Sequence, residues 1–230
     1  MRNHILQRLS LAVTVMAVAF FGAVYPASGA EESGQQLVEK AEATFKNFQL
    51  DPKMSWIRDH IRDAKAVMIA PEVRRAGFIV GGSGGRAVLL SRDPATGNWS
   101  GPAVYTLATA SVGFQAGIDK SETVMLVMTD KGLNSLLGSQ LKLGADLSVA
   151  AGPVGQGKEQ GFTTDVVAFS RSKGAYGGLN LDGTLVKVNG DWNNHYYGKT
   201  VTPPDILVRR TVTNPNSERL LQQVAQTATR

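Results

Sequence analysis

The sequence predicts an α+β domain in which N-terminal helices pack on a large, strongly curved antiparallel sheet that curls towards a barrel. Apolar residues recur at helical spacing before residue 64, whereas short apolar runs broken by glycine follow it. Most of these runs are joined by segments too short for a helical crossover, which favours antiparallel pairing. Small residues inside the runs, such as Ala150 and Ala151, fit tight curvature or a close approach of helices.

Two helices are predicted at the start of this pattern. The first spans residues 31–48, and its apolar side chains fall on one side: Leu37, Ala41, Phe45 and Phe48. The second opens at Asp51 and Pro52, which suit an N-cap and the first helical position. Its apolar stripe consists of Met54, Ile57 and Ile61, and Trp56 lies outside this stripe. Both stripes are interpreted as core-facing, with a membrane-surface role for one helix as the alternative.

The apolar runs after residue 64 predict the strands. They are 66–70, 77–80, 87–91, 103–108, 111–118, 123–128, 145–152, 165–171, 177–181 and 184–188. The glycine-rich segment 81–85 and the segment 93–98 are predicted as hairpin connections, and 152–162 as a loop.

The remaining helices are short or terminal. A helix over residues 130–137 is predicted to be capped by Asp130. Short helical turns are expected at 193–198 and 203–207, and a polar C-terminal helix at 217–228.

The first thirty residues have the composition of a signal peptide. Arg2 and Arg8 precede an uncharged apolar run, 9–24, and Ser28-Gly29-Ala30 predicts cleavage after Ala30. An uncleaved anchor helix is the alternative, although the run is short for a membrane span. Residues 31–230 would then form a single domain with a net charge of +3, exported to a bacterial periplasm and peripheral to the membrane.

Composition excludes several classes of function. The chain has 230 residues, no cysteine and a net charge of +5, so disulfides, thiolate metal sites and cysteine nucleophiles are excluded. His4, His60 and His195 are too scattered for a histidine-rich zinc site. The mild positive charge does not indicate nucleic-acid binding. The acidic residues are isolated and are interpreted as turn or cap residues, so no metal and no cofactor is predicted.

Three short motifs match catalytic or nucleotide-binding patterns and are better explained otherwise. Ser83 lies in a G-x-S-x-G match, but a strand follows where a nucleophile elbow needs a helix; a serine hydrolase remains the least favoured alternative. Residues 152–158 match a phosphate-binding loop, but Glu159 stands where Ser or Thr must bind magnesium. Residues 170–173 match S-x-x-K without its partner motifs. No nucleotide ligand and no catalytic residue is predicted.

Basic residues are more informative because they flank glycine-rich or apolar segments. Five of them are candidate ligands for an anion such as a lipid phosphate: Arg74, Arg75, Arg86, Arg171 and Lys173. Solvated loop charges are the alternative interpretation of each one.

Long blocks of the chain resemble, in order, the SYLF domain. The resemblance covers about residues 36–210 and rests on AKAVMIAPEVRRAGFIVGGSGGRAVLLSRD (64–93), WSGPAVYTLATASVGFQAG (99–117), VMLVMTDKGLNSLL (124–137), KLGADLSVAAGPVG (142–155), AFSRSKGAYGGLNLDG (168–183), NNHYYG (193–198) and TPPDIL (202–207). It implies a lipid-binding protein without enzyme activity. Eukaryotic members are implied to bind phosphoinositides, whereas bacterial members are implied to be exported single domains.

These observations predict a non-enzymatic lipid-binding protein of the bacterial envelope. Its ligand would be an anionic phospholipid or an acyl chain, held by an apolar surface with Arg and Lys on the phosphate. The alternative is an envelope adaptor whose sheet edge or glycine-rich face binds another protein. If the basic residues do not bind, Phe45, Phe48 and Trp56 are the next candidates for membrane contact.

Overall fold

The structure, a computed structural model, describes residues 32–77, 80–112, 117–153, 164–172, 175–176 and 181–229. Residues 33–230 form one compact unit with an α+β fold, as predicted. The described helices are α1 (Gly34–Leu50), α2 (Ser55–His60), α3 (Asp130–Leu136), α4 (Gly190–Tyr197), α5 (Pro203–Leu207) and α6 (Glu218–Ala228). None of these six is both long and apolar enough to cross a bilayer.

The strands belong to a single sheet. They are β1 (Ala66–Gly77), β2 (Val80–Arg92), β3 (Trp99–Val112), β4 (Gly117–Val127), β5 (Gln140–Lys142), β6 (Val149–Ala151), β7 (Val166–Ser172), β8 (Ala175–Tyr176) and β9 (Leu185–Val188). Their order is β5-β9-β3-β2-β1-β4-β7-β6, with β8 paired to β7 beside this path.

All neighbouring strands pair antiparallel except β6 and β7, which are parallel. The predicted antiparallel pairing therefore fails at this one position. The reason is the length of the connection: residues 152–165 separate β6 from β7, and a parallel connection needs about a dozen residues or more.

The sheet is strongly curled, as predicted. In a flat sheet of eight strands the outer strands β5 and β6 would lie about 34 Å apart. Only residues 143–148 connect them, and an extended chain of that length reaches about 25 Å. The connection is further shortened by a turn in which the Asp146 amide donates to the Lys142 carbonyl at 2.8 Å. The two edges are therefore drawn together.

Each face of the sheet carries its own apolar core because side chains alternate along a strand. The α1 face includes Val67, Ile69, Val88 and Leu90, which pack under α1, α2 and α6. The opposite face, the α3 face, includes Met68, Leu89 and Met125, which pack with residues of α3 and α5.

The N-terminal helices form where the apolar spacing predicts them. Ser33 caps α1 and exchanges two hydrogen bonds with Gln36 in a capping box. Asp51 caps the following 3-10 turn, Pro52–Met54, by accepting from the Lys53 amide at 2.8 Å. Trp56, predicted to lie off the apolar stripe, is only 6% exposed and stacks on His60 with ring centroids 4.0 Å apart.

Helix α3 is fixed by a buried carboxylate. Thr129, rather than the predicted Asp130, caps the helix by accepting from the Gly132 amide at 2.9 Å. Asp165 in turn accepts from Thr129 Oγ1 at 2.7 Å, from the Ser148 amide at 3.0 Å and from Lys131 Nζ at 3.2 Å. These bonds tie α3 to the starts of β6 and β7.

The predicted hairpin at residues 81–85 is wrong, because these glycines lie inside β2 and pair with both β1 and β3. Glycine is needed there for close backbone approach. A Cβ at Gly85 would lie 2.3 Å from the Glu72 carbonyl oxygen, beside an irregularity in the β1–β2 register. The predicted strand 177–181 lies almost wholly outside the described residues, and β5 was not predicted.

Candidate functional site: a charged belt and a glycine-rich sheet extension

In the described part of the chain, four strands extend beyond their neighbours in the sheet. The described pairing of β4 with β7 begins at Ser121, and that of β3 with β9 ends at Ala108. The strand ends beyond these points, residues 73–77, 80–85, 109–112 and 117–120, pair with one another and are called the sheet extension. Its two outer strand ends, 109–112 and 117–120, have no further strand neighbour among the described residues.

A row of four charged side chains crosses the sheet at the base of the extension and is called the charged belt: Arg86, Glu72, Glu122 and Arg171. Arg86 pairs in register with Glu72, and Glu122 pairs with Arg171. Glu72 and Glu122 lie next to the paired positions Val73 and Ser121, beside an irregularity in the β1–β4 register. The two carboxylates lie in the middle, with a guanidinium at either end.

The belt faces α1, where its outer end is held in place. Arg171 donates to Glu122 through Nε at 3.0 Å and also through Nη2, and the two side chains are 22% and 28% exposed. Thr44 of α1 donates to the other oxygen of Glu122 at 3.1 Å. The Arg171 guanidinium also lies 5.5 Å from the Phe48 ring centroid. Arg171 thus holds α1 against β4 and β7.

At the other end of the belt, Arg86 contacts α4. Its guanidinium carbon lies 4.1 Å from the Trp192 ring centroid, a distance suited to a cation–π interaction. Helix α4 is itself fixed to β3, because the Asn193 side chain accepts from the Val104 amide at 2.7 Å and donates to the Val104 carbonyl at 3.2 Å.

The next row on the same face combines small residues with two exposed cations. Ala108, Gly84, Arg74 and Lys120 follow one another in register across β3, β2, β1 and β4. The side chains of Arg74 and Lys120 are 53% and 60% exposed, and both bind Oε1 of Glu72, Lys120 at 3.5 Å. Partial burial opposes ionisation of Glu72, but Arg74 and Lys120 outweigh it and lower its pKa.

The opposite face of the extension is polar but carries balanced charge. Thr109, Ser83, Arg75 and Asp119 form one register row, and Ser172 donates to the Asp119 carboxylate. Ser83 has a neighbouring strand on each side, so it does not occupy the turn between a strand and a helix that a nucleophile elbow requires.

The structure brings three of the five predicted anion ligands onto one face: Arg74, Arg86 and Arg171. Arg75 lies on the opposite face of β1, and Lys173 lies outside the described residues. Sequence reasoning missed Lys120, Glu72 and Glu122. The spacing of Glu72 and Arg74, two residues apart in a strand, signals a shared face, but Glu122 and Arg171 meet only through strand pairing.

The apolar residues suggested for membrane contact belong to the core. Phe45, Phe48 and Trp56 are 0%, 1% and 6% exposed and pack between the helices and the α1 face. That suggestion is therefore wrong for the folded domain. Among the described residues, no group of three or more His, Asp or Glu side chains is placed to hold a metal ion. Of the motif at 152–158, only the first two residues are described.

Comparison with known proteins gives a family match. The family model described as Ysc84, Las17-binding protein actin regulator, matches residues 108–228, from β3 to the end of α6. SH3 domain-containing YSC84-like protein 1 of Bos taurus is 30% identical over 185 residues, which cover 78% of this chain and 53% of that protein.

Two yeast proteins show similar identity. Protein YSC84 of Saccharomyces cerevisiae is 29% identical over 169 residues, covering 70% of this chain and 36% of that protein. LAS seventeen-binding protein 3 of the same species is 30% identical over 159 residues, covering 66% and 34%. The chain spans between about a third and a little over half of the length of these relatives.

Proposed function

The chain belongs to the Ysc84 family of SYLF-domain proteins, and on that premise we propose that it is a non-enzymatic adaptor domain that binds another protein. The observation that carries the proposal is the sheet extension, where the partly exposed Gly82, Gly84 and Ala108 lie beside two exposed cations, Arg74 and Lys120. The description of the family model and the name of LAS seventeen-binding protein 3 support a protein partner, because both name protein binding.

The adaptor role is tested by crosslinking in the native cell, followed by affinity capture of the tagged chain and reciprocal capture from each partner. The decisive step is reconstitution from purified components. A complex of fixed stoichiometry in size-exclusion chromatography with light scattering supports the proposal. Failure of every captured protein to form such a complex would overturn it.

Binding of an anionic lipid is the second candidate function. It is favoured by Arg74 and Lys120, which are exposed on one face, and by the SYLF resemblance. With only a small cationic surplus, such binding would be weak and sensitive to salt. Flotation with anionic liposomes that falls as salt rises, and that exceeds flotation with phosphatidylcholine liposomes at every salt concentration, would favour this candidate over the adaptor role.

The absence of catalysis is tested at Ser83. Because this residue lies between two paired strands, we expect Ser83→Ala to leave partner binding unchanged and an active-serine probe to leave Ser83 unlabelled. Loss of a measured esterase activity in Ser83→Ala with the fold intact would overturn the non-enzymatic role.

A further inference from the structure

On the α1 face of the sheet extension, two glycines and two alanines form a floor: Gly82, Gly84, Ala108 and Ala110. Gly84 pairs with Ala108, and Gly82 with Ala110, so this part of the face ends in hydrogen atoms and methyl groups. A Cβ built on Gly84 would meet one described atom within 4 Å, the Leu107 carbonyl oxygen at 3.5 Å. At Gly82 the corresponding atom is the Thr109 carbonyl oxygen at 3.2 Å. No side-chain atom of the described residues lies within 4 Å of either Cβ position.

The charge around this floor is positive. The belt and the next row contain four cations, Arg74, Arg86, Lys120 and Arg171, but two carboxylates, Glu72 and Glu122. Arg171 is matched by Glu122, whereas Arg74 and Lys120 share the single carboxylate of Glu72. The exposed part of this face thus offers a carboxylate-binding surface beside the floor.

The α1 face of the extension is better suited to a ligand than the neighbouring edge of β4. At that edge the Lys120 carbonyl oxygen already accepts a hydrogen bond from Ser172 Oγ at 3.2 Å. An extended chain lying across the face would meet both exposed cations without displacing this bond.

A peptide is the occupant that follows from the proposed adaptor role. The two exposed cations on this face, Arg74 and Lys120, share one carboxylate, and this surplus of positive charge is complementary to an acidic segment.

We propose that the α1 face of the sheet extension binds an extended, acidic segment of the partner protein. The segment lies over Gly82 and Gly84, and its carboxylates pair with Arg74 and Lys120. This inference rests on the proposed adaptor role and specifies the chemistry of the partner.

The test measures binding of the full chain to a labelled peptide of alternating glutamate and glycine by fluorescence anisotropy. A matched peptide of glutamine and glycine is the uncharged control. Arg74→Ala with Lys120→Ala should weaken binding by about tenfold, because each exposed pair contributes up to about 1 kcal/mol. Gly84→Val should weaken it by about fivefold by filling the floor. The control Lys142→Ala with Lys187→Ala removes two exposed lysines on β5 and β9 and should change nothing. Urea midpoints check that each variant folds.

The outcomes separate this inference from the adaptor role. The proposal is supported if the glutamate peptide binds more tightly than the glutamine peptide and if its binding is weakened both by Gly84→Val and by the charge variant, Arg74→Ala with Lys120→Ala. Equal effects of the charge variant and the lysine control, or no effect of Gly84→Val, would overturn it. A reconstituted protein complex that neither variant weakens would leave the adaptor role standing and reject this face. Loss of anionic liposome flotation in the charge variant, without any peptide binding, would assign the face to a membrane and overturn the inference.

Discussion

Charged residues of this domain form ion pairs either within one strand or between paired strands. Glu72 and Arg74 are two residues apart in β1, so strand alternation places both on the α1 face. Glu122 and Arg171 are 49 residues apart and meet because β4 and β7 pair in a defined register. The first kind of pair can be predicted from the sequence, whereas the second requires the strand order.

Two adjacent glycines in β2 should respond in opposite ways to alanine. A Cβ at Gly85 would lie 2.3 Å from the Glu72 carbonyl oxygen, so Gly85→Ala should lower the free energy of unfolding by about 2 kcal/mol. At Gly84 the nearest atom is 3.5 Å away, and Gly84→Ala should raise it by about 0.5 kcal/mol by restricting the unfolded chain. Urea denaturation measures both. Equal effects of the two substitutions would contradict the strand assignment.

The Asp165 carboxylate should make stability depend on pH. Hydrogen bonds from Thr129 lower its pKa, with burial opposing and Ser148 and Lys131 adding to the effect. Since the folded pKa is depressed, this stabilisation is present above about pH 4, the unfolded value, and is lost as pH falls through the folded pKa.

Asp165→Asn should therefore lower the free energy of unfolding by about 2 kcal/mol at pH 7, because the neighbouring donors lose a charged acceptor. The difference from the unsubstituted chain should shrink at acid pH, as urea denaturation at pH 7 and pH 3 would measure. Asp146→Asn, in an exposed turn, is the comparison. A difference of equal size at both pH values would show that the charge of Asp165 is not the cause.

At the scale of elements, helical periodicity predicted helices correctly, whereas the glycines of β2 wrongly predicted a turn. The apolar spacing predicted α1 and α2 because each helix buries one stripe against the sheet or another helix. The glycines of β2 indicate a turn when only local preferences are considered. Their position inside a strand depends on pairing with β1, from Gly81 opposite Gly77 to Gly85 opposite Val73.

Helix α1 should behave as a core helix rather than a membrane-binding one. Phe45 is fully buried, so Phe45→Ala should lower the free energy of unfolding by about 3 to 4 kcal/mol. Lys46→Ala, at the next and exposed position, should change it by less than about 0.5 kcal/mol. Thermal or urea unfolding measures the difference. A Phe45→Ala variant that keeps its stability and loses only liposome flotation would instead show that this helix binds membranes.

At the scale of the whole molecule, export remains a prediction. The charged start, the apolar run and Ser28-Gly29-Ala30 lie outside the described residues, and we expect a mature periplasmic protein that begins at Glu31. N-terminal sequencing of the protein from its own host tests this prediction. Residues 1–30 still attached to a protein in the cytoplasm would refute it, and the same residues attached in the membrane fraction would favour the anchor helix.

The order of strands is a property of the whole molecule. Antiparallel hairpins are predictable where their connections are short, and the hairpin predicted at residues 93–98 does join β2 to β3. Three other pairings were not predictable: β9 beside β3, β5 beside β9, and β6 parallel to β7. These contacts join distant segments, so no local pattern specifies them.

The sequence by itself determined the α+β class, the N-terminal helices, the curled sheet and the family, because periodicity, short connections and ordered motifs are local properties of the chain. Tertiary structure alone decided which charges on different strands meet. It placed Arg171 against Glu122 and Phe48, and Arg86 against Trp192. It also put Arg74 beside Lys120 and Gly84, with Arg75 on the opposite face. The physical reason is that strand register sets the neighbours of each side chain, and register depends on residues far apart in the chain.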